Sequence, residues 1–217
     1  QSFEKTLHGN LLNENGSFRV AHSDTEFPNS IREKLENHTI DKIYIVGQGT
    51  AAVAGQALSQ YLSEETEISV ESIPSTELSG FKLSTDMSNV LVVAISQSGT
   101  TTDTNRTVDL VRGRGASVIA IVNRRNSDLS QKADGVIYTS DGRDIEMSVA
   151  STKAFYSQVA ASILLGISIR DHAISDPNDS LTHENRQTFL HELNELPAKM
   201  VTVLKQQNLI RDIAFEL

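Results

Sequence analysis

The sequence has 217 residues, of which 38% are hydrophobic and 22% charged, with no cysteine and a formal net charge of −9. This size and composition indicate one principal globular domain. The lack of cysteine excludes disulfides and cysteine-ligated zinc, and the acidic balance with scattered basic residues argues against nucleic-acid binding. No apolar run approaches the roughly 20 residues of a membrane span, and the first residues show no signal-peptide pattern. We therefore expect no membrane contact and a cytoplasmic location.

The first 29 residues are polar and poorly periodic. The NENGS segment at 13–17 is typical of a turn, as is the Phe27-Pro28 pair. We predict that residues 1–29 form an N-terminal arm or linker, followed by a short helix that ends near Asn37.

From residue 42 onward, short apolar segments alternate with segments of helix length. The apolar segments are continuous and rich in β-branched residues, which is typical of strands covered on both faces. The predicted strands are 43–47, 68–73, 90–95, 118–122 and 136–139, and the predicted helices are 51–63, 101–114 and about 148–170. This order predicts an α/β fold with a doubly wound parallel sheet flanked by helices, whose ligands bind beyond the carboxyl ends of the strands.

The end of the chain contains a polar break at 171–184 and an apolar stripe at helical spacing over 185–207. We predict a principal domain at 30–184. Residues 185–217 are predicted to form a C-terminal helix and a connection to a further segment.

The segment from Ser96 to Thr101 follows a predicted buried strand and opens a predicted helix. It has the sequence SQSGTT and contains four hydroxyl residues and Gly99. At a strand-to-helix turn the first free N–H groups and the helix dipole favour an anion. Short hydroxyl side chains add donors, and glycine lets the backbone approach a ligand. The turn is therefore predicted to bind an anion without lysine, although an ordinary helix cap also favours Ser and Thr.

A second strand-to-helix turn contains Gly47, Gly49 and Thr50. The two glycines allow a tight turn, and the Thr50 hydroxyl can face a ligand at the same sheet edge. The alternative is a dinucleotide site, because Gly47, Gly49 and Ala52 satisfy a Gly-x-Gly-x-x-Ala pattern and Glu71 falls near the position of a ribose-binding acid. A dinucleotide site does not explain the hydroxyl-rich turn after the later strand.

A third polar segment, EMSVASTKAF, begins at Glu146 and enters the predicted long helix. Ser148, Ser151 and Thr152 lie in its first turns, so a second helix start is expected to face the same pocket. The alternative is that Glu146 and Ser148 only cap the helix and Lys153 is a solvated residue.

Taken together, VGQGT at 46–50, ISQSGTTTDT at 95–104 and EMSVASTKAF at 146–155 resemble the sugar isomerase (SIS) domain of isomerizing glutamine:fructose-6-phosphate aminotransferases. The resemblance covers roughly residues 30–170 and implies a flavodoxin-like SIS fold. KTLHGN at 5–10 also resembles the segment that joins the glutaminase domain of this family to its isomerase domain. The chain is thus similar to the first half of the isomerase portion.

The resemblance implies that the chain binds a hexose 6-phosphate, with fructose 6-phosphate and glucosamine 6-phosphate as the expected sugars. Implied phosphate ligands are Ser96, Gln97, Ser98, Gly99 and Thr101. Implied sugar ligands are Gly49, Thr50, Val149 and Ser151, and Glu146 beside them is a candidate catalytic residue. Two positions depart from the family pattern, since Ala51 and Ser148 stand where the family commonly has serine and glycine.

The six histidines show no i, i+4 pair and no His-x-x-His spacing, so we expect neither a metal site nor a cofactor. Conversion of a ketose phosphate to an aminated aldose phosphate needs a lysine amine, a general base and usually a histidine. That set is not found here. The resemblance implies that a second SIS domain and a glutaminase domain in the full-length chain supply these functions, and that the protein is a homodimer. A non-catalytic sugar-phosphate sensor and a stand-alone aldose-ketose phosphate isomerase are the alternatives.

Overall fold

The computed structural model describes residues 2–140, 152–174 and 180–216, without the side chains of 180–183 and 216. Two strands form a hairpin and five form the main sheet. The strands are β1 (Leu11–Glu14), β2 (Ser17–Val20), β3 (Lys42–Gly47), β4 (Ser69–Pro74), β5 (Val90–Ser96), β6 (Ser117–Val122) and β7 (Gly135–Tyr138). The helices are α1 (Ser2–Asn10), α2 (Asn29–Glu36), α3 (Thr50–Glu65), α4 (Ser75–Phe81), α5 (Thr102–Arg112), α6 (Asp128–Lys132), α7 (Lys153–Ala173), α8 (Ser180–Leu204) and α9 (Gln207–Glu216).

The main sheet has the strand order β4-β3-β5-β6-β7, and every neighbouring pair is parallel. The chain runs outward from β3 to β4 and then returns to the other side of β3 to form β5. The strand order therefore reverses between β3 and β5, which is where open α/β sheets bind ligands. The predicted doubly wound parallel sheet is confirmed, and all five predicted strands are present.

Alternate strand residues pack on two helical layers. Ile43, Ile119 and Ile121 belong to a buried cluster with Leu58 of α3 and Leu165 of α7, and residues of α2 complete this layer, which we call the α7 face. The intervening residues pack on the opposite layer, formed by α4, α5 and α6, which we call the α5 face. Because both faces are covered, the strands are continuously apolar.

The segment predicted as an arm or linker contains α1 and the β1–β2 hairpin. Its turn residues Asn15 and Gly16 both have positive φ, 55° and 91°, as a tight hairpin turn requires. Leu7, Leu11 and Phe18 are buried in a cluster with residues of α7 and α8. The segment has too few apolar residues to show a helical or strand periodicity. The burial of these residues depends on packing against α7, which lies more than 130 residues later in the chain.

The predicted last helix at 185–207 corresponds to α8, which begins at Ser180 and ends at Leu204. A further helix, α9, follows it. The predicted long helix at about 148–170 corresponds to α7, and its predicted first residues 148–151 lie outside the described residues.

His22 links the N-terminal elements to α7. Its ring nitrogens lie 2.9 Å from Ser168 Oγ and 3.2 Å from Asn10 Oδ1, and its carbonyl oxygen accepts a hydrogen bond from Arg32. Burial, together with the nearby Arg32 guanidinium, lowers the pKa of His22 from 6.5 to about 4. The imidazole is therefore neutral in the folded protein at neutral pH.

This lowered pKa predicts acid-dependent stability. Above pH 6.5 the His22 imidazole is neutral in both states, whereas between pH 6.5 and 4 the unfolded chain binds the proton first. The free energy of unfolding should thus fall by at most about 3 kcal/mol as pH decreases through this window. Urea unfolding at pH 7, 5.5 and 4 should show a smaller decrease for His22→Gln than for the wild type. His191→Gln, which alters an exposed side chain, is the control and should keep the wild-type pH dependence.

Candidate functional site

The two predicted strand-to-helix turns lie next to each other at the carboxyl edge of the sheet. β3 and β5 are neighbours, with Val46 paired to Ala94, and each strand runs directly into a helix. Gln48, in the turn after β3, donates from Nε2 to Asp103 Oδ2 in the first turn of α5, over 3.4 Å. The structure therefore brings the Thr50 turn and the Ser96 turn together at the point of strand-order reversal.

The turn from Ser96 to Thr101 is organised by its own hydroxyl groups. Ser96 Oγ accepts a hydrogen bond from the Gly99 N–H at 3.1 Å and lies 3.3 Å from Thr101 Oγ1. Ser98 Oγ accepts from both the N–H and the hydroxyl of Thr100, at 3.2 and 3.0 Å. These contacts hold the donors of the turn in one small loop.

Both helices that begin at these turns start without a side-chain cap. Thr101 is the N-cap residue of α5 and Gly49 that of α3, and neither helix has a side-chain hydrogen bond at its cap. The first helical bond of α5 runs from the Asn105 N–H to the Thr101 carbonyl, so the preceding N–H groups of this helix have no helical acceptor. In contrast, Ser127 caps α6 by accepting from Ser130. The dipole and free N–H groups of α5 therefore favour an anion at this turn.

Gly99 and Asn105 fix the backbone of the turn. Gly99 has a φ of 65°, a conformation that favours glycine. Its carbonyl accepts from the Leu129 N–H at 3.0 Å and from Asn105 Nδ2 at 3.1 Å, and Asn105 also reaches the Thr101 carbonyl. Asn105 was not among the predicted site residues, although a buried polar residue among the apolar positions of α5 is a signal for such a role.

The turn is partly open to solvent. Gln97, Ser98 and Thr101 are half-buried and Thr100 is exposed, whereas Ser96 is only 3% exposed. The Ser96 hydroxyl mainly supports the loop, and the other side chains are accessible to a ligand.

The remaining predicted residues lie either in the turn after β3 or outside the described residues. Gly49 is exposed with a φ of 58°, and Thr50 is half-buried at the start of α3. Ala51 is buried in the core of the α7 face. The predicted residues Glu146, Ser148, Val149 and Ser151 lie outside the described residues.

Glu71, the acid considered for a dinucleotide ribose, pairs with two lysines. It lies within β4, hydrogen-bonded to Lys82 and 3.5 Å from Lys42. The hydrogen bond from Lys82 lowers the pKa of Glu71, as do the charges of both lysines. This carboxylate is neutralised within the protein, which argues against the dinucleotide interpretation.

Within 2–140, 152–174 and 180–216 there is no group of three or more metal-binding side chains. In the same ranges no helix is long and apolar enough to cross a membrane. A groove of about 520 Å³ lies at the opposite edge of the sheet, between the residue pairs Ile40–Asp41 and Ala173–Ile174, and includes neither turn.

The SIS domain family matches residues 38–168, more than half of the sequence, and the chain belongs to this family. It is similar to isomerizing glutamine–fructose-6-phosphate aminotransferases, as the motifs predicted. The enzyme of Corynebacterium efficiens is 37% identical over 180 residues, which cover 81% of this chain and 27% of that protein. The enzyme of Mycobacterium tuberculosis is 34% identical over 179 residues, covering 82% and 27%. The chain thus spans about a quarter of the length of these relatives.

Solved structures show the same fold. The C-terminal domain of glucosamine-fructose-6-phosphate aminotransferase from Francisella tularensis has a TM-score of 0.78 at 22% identity, covering 98% of this chain and 55% of that one. The Vibrio vulnificus NanR protein, solved in complex with ManNAc-6P, has a TM-score of 0.51 at 19% identity, covering 81% and 60%.

Proposed function

We propose that this chain binds a hexose 6-phosphate, fructose 6-phosphate or glucosamine 6-phosphate, as one half of the isomerase portion of a glutamine-dependent sugar-phosphate aminotransferase. The observation that carries the proposal is the turn from Ser96 to Thr101, whose hydroxyls and free helix N–H groups lie at the point of strand-order reversal. Family membership and the similarity to isomerizing aminotransferases support the choice of ligand.

In this proposal the phosphate lies at the N-terminus of α5. Ser98 and Thr101 donate from their hydroxyls, and Gln97 and Gly99 contribute the turn that surrounds the phosphate oxygens. No lysine or arginine belongs to the turn, so neutral dipoles and the helix terminus stabilise the charge. Thr50 and Gly49, on the adjacent turn, face the sugar.

The chemistry of the whole enzyme requires more than this chain provides. Ring opening, imine formation and proton transfer between adjacent carbons need an amine nucleophile and a general base. We propose that a second SIS domain and a glutaminase domain of a longer protein complete the reaction, and that the chain alone is inactive. Homodimerization and a cytoplasmic location are part of the same proposal, and Glu146 remains a candidate catalytic residue.

A second candidate function is sugar-phosphate sensing without catalysis. The fold of this chain is shared with NanR, which was solved in complex with ManNAc-6P. Sensing needs the same phosphate turn and no catalytic lysine or histidine. Activity of the longer protein on fructose 6-phosphate and glutamine separates the two candidates.

Removal of one hydroxyl tests the phosphate site. Fructose 6-phosphate or glucosamine 6-phosphate at 100 times its Kd should raise the free energy of unfolding of the wild type by about 2.7 kcal/mol. Ser98→Ala should weaken the dissociation constant about tenfold, because a hydrogen bond to a charged group contributes about 1.5 kcal/mol. Titration calorimetry and ligand-dependent Tm are the measurements.

Ser63→Ala is the matched control, because Ser63 is exposed at the far end of α3. It should bind both sugar phosphates like the wild type. Equal affinity of Ser98→Ala and wild type would remove Ser98 from the site. A Tm response to NAD together with none to any sugar phosphate would support the dinucleotide interpretation instead.

A further inference from the structure

Four buried side chains on the α7 face carry a polar atom without a hydrogen bond. Within the described part of the chain no partner lies near Asn123 Oδ1, Thr139 Oγ1, Gln158 Oε1 or Ser162 Oγ. The four residues are at most 2% exposed. A buried polar atom without a partner costs about 1–3 kcal/mol, so four in one layer need an explanation.

Asn123 and Thr139 occupy the same row at the carboxyl edge of the sheet. The Asn123 N–H donates to the Gln97 carbonyl at 3.1 Å, and the Thr139 N–H donates to the Val122 carbonyl at 2.9 Å. The hydrogen-bond pattern between β5 and β6, and that between β6 and β7, therefore continues one residue past the end of β6 and of β7. Ile121 pairs with Ile137 and both lie on the α7 face, which puts Asn123 and Thr139, two residues later, side by side on that face. Asn123 is therefore directly beside the proposed phosphate turn.

Helical spacing places Gln158 and Ser162 on the side of α7 that faces the sheet. Leu165 and Ile169 of this helix belong to the same buried cluster as Ile119 and Ile121 of the sheet. Gln158, seven residues before Leu165, and Ser162, three before it, fall on the same helical stripe. Both lie in the first half of α7, which follows the carboxyl edge of the sheet.

The chemistry of this group differs from that of the phosphate turn. It offers two amide groups and two hydroxyls, with no charged side chain among the four, which suits the neutral hydroxyls of a sugar better than a phosphate. Asn105 Oδ1 is also unpaired, but Asn105 Nδ2 bonds to the Gly99 and Thr101 carbonyls, whereas no hydrogen bond within the described residues holds the Asn123 side chain. Apolar residues of the same shape would pack this layer without unpaired atoms.

We propose that Asn123 and Gln158, with Thr139 and Ser162 beside them, position the hydroxyl groups of the bound sugar phosphate and set its sugar specificity. This inference rests on the proposed function. The phosphate lies at the α5 N-terminus, and the carbon chain extends past Gln97 toward the α7 face.

Substitution by apolar residues of similar shape tests the inference. Asn123→Leu and Gln158→Met should leave the ligand-free Tm unchanged or higher, because an unpaired buried polar atom is removed. Their Kd for fructose 6-phosphate should rise about tenfold, corresponding to one lost hydrogen bond. Their Kd for inorganic phosphate, which reports only on the phosphate turn, should stay within about twofold of the wild type. Titration calorimetry gives both constants.

Asn89→Leu is the control, because Asn89 bonds to Asp41 at the amino edge of the sheet and should leave both constants unchanged. If both variants bound fructose 6-phosphate with wild-type affinity, this inference would be overturned and the proposed function would stand. The unpaired atoms would then bind only buried water. Equal weakening of sugar phosphate and inorganic phosphate would overturn it as well, since the effect would then act through the turn. Failure of the wild type to bind any sugar phosphate would overturn the proposed function, and this inference with it.

Discussion

Gly99→Ala should destabilise the protein and abolish its response to sugar phosphates. A Cβ at Gly99 would lie 2.1 Å from Ser127 Oγ and 2.5 Å from Ser127 Cβ, and the φ of 65° is unfavourable for alanine. The backbone strain and the overpacking together should lower the free energy of unfolding by about 2–4 kcal/mol. The turn would have to move, which displaces its donors from the phosphate position. Urea unfolding and ligand-dependent Tm measure the two effects.

Gly80→Ala is the matched control, because a Cβ at Gly80 meets nothing within 4 Å in helix α4. It should be neutral or slightly stabilising, through the higher helix propensity of alanine. Ser127→Gly in the Gly99→Ala background removes the contacting side chain and should restore part of the stability. Wild-type stability of Gly99→Ala would show that the turn does not need this conformation.

Gly55→Val should also destabilise the protein, because α3 packs against the sheet at this glycine. A Cβ there would lie 2.7 Å from Ile45 Cγ2 and 3.1 Å from Ser72 Oγ. Overpacking of this contact should lower the free energy of unfolding by roughly 2–3 kcal/mol. Since Thr50 begins the same helix, displacement of α3 should also weaken the binding of fructose 6-phosphate. Chemical denaturation and titration calorimetry provide the two readouts.

The comparison variant is Gln56→Val, the same new side chain at the next, exposed position of α3. It should cost only a few tenths of a kcal/mol in helix propensity and leave binding intact. Similar losses for both variants would indicate a general intolerance of valine in this helix. In that case close packing of α3 on the sheet would not be the cause.

The elements that the sequence predicted well have strong local signals. The predicted strand at 118–122 differs from β6 by one residue, and the predicted helix at 101–114 contains α5. Continuous β-branched runs and regular apolar spacing suffice for such assignments. The elements α1, α4 and α6 and the β1–β2 hairpin were not predicted, because they are short or have few apolar residues. The helix α9 was not predicted either, although it contains Leu209, Ile210 and Ile213.

The main turn of the candidate site could be proposed from the sequence, whereas the residues that support this turn could not. The Ser96 to Thr101 segment is recognisable because its hydroxyl residues are contiguous. Gln48 and Asp103 are 55 residues apart, and Asn123 meets Gln97 only through strand pairing. No local pattern predicts these contacts, because each partner is defined by the sheet.

The sequence by itself determined the parallel α/β architecture and the SIS motifs and predicted an anion site at the turn after β5, since these depend on composition and spacing within short segments. Only the tertiary structure decided which groups are neighbours. It put the Thr50 turn beside Ser96, paired Glu71 with two lysines, buried the N-terminal hairpin against α7 and, among the described residues, left Asn123 Oδ1 and Gln158 Oε1 without a hydrogen bond. The physical reason is that burial and hydrogen bonding depend on strand order and helix packing, which bring together residues far apart in the chain.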